Sequence, residues 1–434
     1  MFENYESWGR YPKLLPADVI KINWLVQIPD ISSIKDKVLA YGLGRSYGDS
    51  CLNEDGVLLV IAGLNRFISI NFEDGIIEAE AGVTLADILK IAVPAGWFLS
   101  VTPGTKFVTL GGAVANDVHG KNHHVAGTFG NHVLSFELLR SDGTVMTCSP
   151  EENSEMFAAT IGGLGLTGLI TKVKIKLQRA ASPFLDVDYI KFDNVDEFFE
   201  INEANDSKND FTVSWVDCTS TDSRLGRGIY SGGNFTAEPD KEVKIKDKSP
   251  DFPFDYSFIN PLTVRLFNIL YYNKQINKKT RQKVHYEPFF YPLDAVEHWN
   301  RAYGKDGFLQ YQFVVPHTNG KEAVKDILGN VSKSGLSSFL TVLKTFGEVK
   351  SPGMLSFPQP GITMAIDFRM TGDFTLKELN KLDDIVRANG GRLYPAKDAR
   401  MSGEDFRRFY PEWEKFIEFI DPKFSSSFWR RVTK

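Results

Sequence analysis

The chain has few cysteines, no long apolar run and no marked excess of charge, and each shortage removes a class of function. Cys51, Cys148 and Cys218 are the only three cysteines in 434 residues. An odd number without paired spacing argues against a disulfide framework and against a thiolate metal site, so a reducing compartment is expected. No stretch approaches the ~20 apolar residues needed to span a bilayer. The opening MFENYESWGRYPKLLPADV lacks the basic region and apolar segment of an export signal. The expected location is the cytoplasm, with any membrane contact peripheral. A net charge of −5 gives no general reason to expect nucleic acid as a partner. Any basic site is therefore local.

What is present fits an enzyme of two lobes. At 434 residues the chain exceeds what one core usually serves, and a hydrophobic content of 42% is enough for sizeable cores. Glycine is concentrated in three places: GLGRSYGDS at 42–50, TPGTKFVTLGGAVANDVHGKNHH at 102–124, and IGGLGLTGLI at 161–170. Small residues let backbone N–H groups approach an anion closely, and glycine supplies the positive φ that wrapping a ligand requires. The first cluster is not the nicotinamide fingerprint, because its third glycine is displaced by one and no amphipathic helix follows. Separate anion-cradling loops point to a dinucleotide, and three of them in one domain favour FAD.

From Lys37 to about Gln178 short β-rich runs alternate with turns: Val57 to Ile61, Ile76 to Ala81, Val133 to Leu139 and Leu169 to Leu177. One helix interrupts them, with Thr84 as N-cap, Asp87 at its third position and Leu85, Ile88, Leu89 and Ala92 as its apolar face. So many strands with so few helices predict an α+β sheet rather than a repeated βαβ fold. From about 180 to 388 the texture changes to aromatic-rich strands, Phe211 to Val216, Phe308 to Val315, Ser338 to Lys344 and Thr363 to Phe368, read as an antiparallel sheet that forms a binding face. Residues 234–283, rich in Lys, Pro and aromatics with no steady period, read as a mobile insertion. Lys274, Lys278, Lys279, Arg281 and Lys283 crowd beside Tyr271 and Tyr272 there, which suits the lipid part of a substrate or an anionic membrane surface, with a solvated surface insertion as the alternative. Helical patterning returns at Phe406 to Phe419. The expected domains are 1–179 with 389–434, and 180–388.

The three glycine segments together resemble the FAD-binding domain of the vanillyl-alcohol oxidase and para-cresol methylhydroxylase flavoprotein superfamily. The likeness continues through SWVD at 214–217, FLQYQFVVP at 308–316, LKTFG at 343–347 and GGRLYPAKDAR at 390–400, and so covers most of the chain. HGKNHH and YQF mark a subgroup that oxidises the 2-hydroxyl of a polyprenyl-phosphate-linked ribose. The resemblance implies a two-domain α+β flavoprotein with a PCMH-type FAD-binding domain and an antiparallel-sheet substrate domain. It also implies a lipid-linked sugar substrate and a short-chain dehydrogenase/reductase partner that completes an epimerisation to arabinose. An aldonolactone or alditol oxidase acting on a soluble polyol, and a non-catalytic flavin-binding scaffold, are the alternatives.

Residue by residue, the resemblance assigns Gly42, Gly44, Arg45, Ser46, Tyr47, Gly48, Asp49 and Ser50 to the FAD diphosphate. Gly104, Thr109, Leu110, Gly111, Gly112, Asn116, Asp117 and His119 follow along the cofactor, with Ile170 near the adenine half and Tyr394 near the flavin. Many members of the superfamily attach the flavin to a histidine where this chain has Arg45, so the FAD is expected to be non-covalent unless His119 serves instead. Two further departures are Ala365, where pathogen enzymes carry a cysteine, and Phe290 in place of a tyrosine.

Oxidation of an alcohol carbon needs a hydride acceptor and a group that takes the hydroxyl proton. Lys397 is the first candidate, as base or as alkoxide stabiliser, with His119 and Lys121 beside it by resemblance. Gln310 and Gln312 alternate with Leu309, Tyr311 and Phe313, so on a strand both amides project from one face, as sugar hydroxyls require. Lys121, Trp215, Phe290, Lys344 and Asp367 complete the expected substrate pocket. His119, His123 and His124 do not form a zinc-like constellation, and no metal is expected. His123 and His124 are expected to hydrogen-bond backbone.

Overall fold

The computed structural model describes residues 5–237 and 249–434 and contains three sheets. A small parallel sheet orders Asp18–Lys21, Val57–Val60 and Val38–Tyr41. A larger antiparallel sheet is centred on the long strand Leu169–Arg179, flanked by Ile76–Glu80 and Val133–Leu139, with Trp97–Leu99 pairing its far end. Helix Leu85–Ala92 packs in the same core through Leu85, Ile88, Leu89 and Ala92. Its entry is fixed by a reciprocal cap: the Asp87 N–H donates to the Thr84 hydroxyl at 3.1 Å, and the Thr84 N–H donates to the Asp87 carboxylate at 3.1 Å.

The third sheet has eight strands, every neighbouring pair antiparallel, in the order Lys279–His285, Phe184–Phe192, Gly228–Phe235, Phe211–Val216, Thr341–Phe346, Gly361–Arg369, Phe308–Val315 and Arg392–Leu393. Strand alternation divides its residues between two environments. Tyr311, Phe313, Leu343, Met364 and Ile366 face a core shared with helices His317–Ser334 and Asp373–Ala388. Gln310, Gln312, Val342, Lys344, Thr363 and Ala365 lie between them in sequence and line a cavity. The sheet is therefore a wall with an oily back and a polar front, as expected from the alternation of the 308–315 segment.

Two expectations change. Residues 249–283 are not one loop: they contain helix Pro261–Lys274 and the start of strand Lys279–His285, while 238–248 lie outside the described residues. The helix escaped notice because its buried positions, Val264, Asn268 and Tyr272, mix polar with apolar groups and leave no hydrophobic stripe. The C-terminal stretch touches both lobes. Arg392–Leu393 adds an edge to the eight-stranded sheet, whereas Phe424 bridges Val38 and the Arg431 guanidinium grips Asp49 at 2.7 Å.

Candidate active site

A cavity of about 460 Å³ separates the glycine segments from the polar front of the eight-stranded sheet. On one side Gly42, Gly44, Arg45, Ser46, Tyr47 and Ser50 line it, then Gly104, Thr109, Gly111, Gly112, Asn116 and His119, with Ile170 at the far side. Helix Leu110–Ala115 is fixed by Thr109, whose hydroxyl accepts from the Gly112 N–H at 3.2 Å. Opposite stand Gln310, Gln312, Lys344, Phe290, Tyr394 and Lys397, and Lys121 reaches in from the loop that follows His119.

The walls are stitched together by hydrogen bonds between segments distant in sequence. The Gln312 amide donates to His119 Nε2 at 3.0 Å. Lys344 Nζ donates to the Gly120 carbonyl at 2.7 Å, and Lys121 Nζ to the Phe289 carbonyl at 2.8 Å. The Tyr394 hydroxyl donates to the Asn116 carbonyl at 2.9 Å. Lys397 Nζ lies 3.6 Å from the centroid of the Tyr47 ring, a cation–π seat that carries no opposite charge.

Burial sets the electrostatics. It lowers Lys397 to about 7, with Asp367 opposing the shift. It lowers Lys344 to about 7, helped by the neighbouring charges of Lys121 and Lys397, and lowers Lys121 to about 8. None of the three lysines has a salt-bridge partner among the described residues. His119 is held well below its ordinary value by burial and then by Lys344, so it is neutral. Because its Nε2 accepts from Gln312, its proton sits on Nδ1, which is buried and without a partner. Burial raises Asp367 to about 7, opposed first by its hydrogen bond from Gln310 at 2.6 Å.

Several expected site residues do not line the cavity. The Asp49 carboxylate is turned to Arg431, and Asp117 accepts from the Gly130 N–H at 2.8 Å and from the Ser351 and Ser356 hydroxyls at 2.5 Å. Both are buried, and each finds its donors inside the protein. Leu110 points into the core. Gly48 serves packing: a Cβ there would lie 1.6 Å from the Asp398 carbonyl oxygen, so glycine lets the Lys397 segment close on the first loop. Trp215 donates its indole N–H to the Phe339 carbonyl at 3.0 Å and stacks on Tyr271, outside the lining. Asp367 stands behind Gln310 and orients it. His124 meets backbone as expected, through the Asn209 carbonyl at 2.9 Å, but both ring nitrogens of buried His123 lack partners and the ring packs on Phe346.

The structure also places residues that no motif marked. Trp8 lies under the Arg45 guanidinium at 4.0 Å, and Asp294 and Trp299 line the cavity from the segment after Phe290. Their positions depend on chain reversals with no local signature. The cavity fits FAD on three observations. The Ser50 hydroxyl and His119 Nδ1 are buried at or near its surface without partners. A Cβ on Gly104 would meet nothing within 4 Å and would project into open space. Arg45 and the three lysines outnumber the lining carboxylates, Asp294 and Glu297, and supply positive charge for phosphate.

Residues 29–149 match the family model of the FAD binding domain. With the cavity above, this defines the protein as an FAD-dependent oxidoreductase acting on a CH–OH group, built on a PCMH-type FAD-binding domain and an antiparallel-sheet lobe. The chain is 38% identical over 413 residues to the decaprenylphosphoryl-beta-D-ribose oxidase of Mycolicibacterium smegmatis, covering 91% of this chain and 89% of the relative. It belongs to that oxidase family. An uncharacterized protein of Streptomyces coelicolor is 29% identical across its whole length and 81% of this chain. The L-gulonolactone oxidase of Mus musculus is 28% identical over 40% of each chain, so that likeness is partial.

Proposed function

We propose that the protein oxidises the 2-hydroxyl of a polyprenyl-phosphate-linked ribose to the 2-keto sugar, the first half of an epimerisation to arabinose. One observation carries this reading: a cavity lined by Arg45 and three lysines against two carboxylates holds Lys397 together with two amides of one strand face, Gln310 and Gln312. The amides suit sugar hydroxyls. Lys121 and Lys344 suit a phosphate whose binding would offset the cost of burying their charge. Bound FAD supplies the hydride acceptor. Lys397, near 7 through burial, is neutral in an appreciable fraction at neutral pH and can take the hydroxyl proton; in its charged form it would hold the alkoxide. Neutral His119 offers its free Nδ1–H as a donor to the reacting groups, and Gln312 keeps the ring oriented.

The FAD is held without a covalent bond, because Arg45 has no nucleophile to offer; acid precipitation should leave all yellow colour in the supernatant. The protein acts in the cytoplasm with peripheral membrane contact, and a short-chain reductase consumes its keto product. The reading is tested by anaerobic flavin reduction across phosphoribosyl lipids, simple ribosides and soluble polyols. Bleaching by the phosphoribosyl lipids at the lowest concentrations is expected. Preferential bleaching by free polyols would instead favour an alditol oxidase.

A further inference from the structure

Helix Pro261–Lys274 is built inside out. Of the three positions turned toward the protein, Val264, Asn268 and Tyr272, two carry polar groups with fixed partners. The Asn268 amide donates to Asp217 at 2.9 Å and to the Ser338 carbonyl at 3.2 Å, and the Tyr272 hydroxyl donates to Asp193 at 2.7 Å. The outward face carries Leu262, 77% exposed, Leu266, Ile269 and Leu270, 63% exposed. A surface helix normally shows the reverse polarity. Phe254 and Tyr256, each edge-on to Phe258, add exposed aromatic area, and Ile276, 91% exposed, adds aliphatic area. Contiguous apolar surface of this kind marks an interaction site.

Two features on this side of the molecule say what covers it. The inner edge of the patch meets residues that adjoin the cavity lining. Tyr271 stacks on Trp215 at 4.6 Å and Phe267 on Phe339 at 5.7 Å, while Val213, two residues before Trp215, and Leu340, next to Phe339, line the cavity. Three of the nearby cations are matched: Lys278 pairs with Glu197 at 2.5 Å, Lys279 with Asp188 at 2.8 Å and Arg281 with Asp186 at 3.9 Å, while the helix itself carries Arg265 and Lys274. Six exposed apolar or aromatic side chains, Leu262, Leu266, Phe267, Ile269, Leu270 and Tyr271, outnumber the helix's two cations, which fits the apolar side of the bilayer interface better than a purely electrostatic contact with anionic headgroups.

We infer that the outward face of this helix seats in a lipid surface, so that a lipid-linked substrate enters the cavity past Trp215 and Phe339 with its tail still in the bilayer. The inference rests on the lipid-linked reading of the substrate, and it replaces electrostatic attraction by burial of apolar side chains as the source of membrane affinity. The test is flotation of the FAD-loaded enzyme with phosphatidylcholine vesicles at 0.1 and 0.5 M salt, comparing wild type with the triple variant Leu262→Gln, Leu266→Gln, Leu270→Gln. Wild type should float at both salt concentrations, and the variant should show about tenfold weaker partitioning, since three aliphatic side chains no longer bury in the interface. FAD content and reduction by a short-chain phosphoribosyl substrate should be unchanged in the variant. Flotation equal to wild type in the variant, no flotation of wild type, or loss of binding at 0.5 M salt would overturn the inference. So would a wild-type dimer in sedimentation velocity that the variant splits, because it would assign the face to a second copy. Flotation reports on the surface and flavin reduction on the site, so each reading fails by its own measurement.

Discussion

The wall formed by residues 42–51 and 102–120 presents mainly backbone and small side chains to the cavity, whereas the facing sheet presents long ones, Gln310, Gln312 and Lys344, with Lys397 beside them. The first wall leaves room. Its glycines sit where a Cβ would press on Thr109, on the Asp398 backbone or into the cavity. The second wall places charge where burial makes charge costly, and among the described residues no carboxylate forms a salt bridge with its lysines, although Asp367 acts on Lys397. A site of this kind divides its labour: shape on one side retains the cofactor, and electrostatics on the other recognises and activates the substrate. Damage to one wall should therefore leave the other's task intact.

The largest expected effect lies on the charged wall. Lys397→Ala should keep its FAD yet reduce it about a hundredfold or more slowly in anaerobic single-turnover experiments, the usual cost of losing a positioned base or oxyanion stabiliser. Near-normal reduction would make Lys397 structural. Next comes the seam between the walls. Gly48→Ala brings a Cβ within 1.6 Å of a main-chain oxygen that cannot rotate away. A loss of about 3 kcal/mol is expected from such overpacking, measured by denaturant unfolding of the FAD-free protein. Wild-type stability in that variant would mean that the Lys397 segment is not held against the first loop.

A smaller effect separates the walls by pH. Lys344 and Lys397 sit near 7 and Lys121 near 8, all lowered by burial from an ordinary value of 10.5. Between those values and 10.5 the unfolded chain binds more protons than the folded one, so stability rises with pH across that window and is lower below it. Asp367, raised to about 7, acts oppositely between 3.8 and 7, where the folded form holds the extra proton. Thermal melts of FAD-free protein should therefore show the melting temperature rising from pH 7 to 9.5, and Lys344→Met should flatten that rise. A flat wild-type profile would mean that the lysines are solvated.

What could be read beforehand follows the same division. Glycine clusters are visible as composition, so the backbone wall was legible without knowing its partners. The amide pair was legible because strand alternation fixes the facing of Gln310 and Gln312. Side-chain direction within irregular loops was not: Asp49 and Asp117 stand among cavity-lining neighbours but turn to Arg431, Ser351 and Ser356, donors more than 200 positions away. Helix Pro261–Lys274 was missed for a related reason, since its inward positions answer to Asp217, Ser338 and Asp193 rather than to a hydrophobic stripe. Trp8 and Asp294 reach the cavity through chain reversals that carry no signal of their own.

The division of labour is tested most directly by measuring FAD stoichiometry and the single-turnover reduction rate by a phosphoribosyl lipid on Gly42→Val and Lys397→Ala prepared side by side. A valine at 42 would place its Cβ 2.5 Å from the Thr109 hydroxyl, on a residue that lines the cavity. The expected result is that Gly42→Val loses most of its FAD while the fraction that retains it is reduced at close to the wild-type rate, and that Lys397→Ala is fully loaded and slow. Full FAD occupancy in Gly42→Val together with rapid reduction in Lys397→Ala would contradict the assignment of both walls.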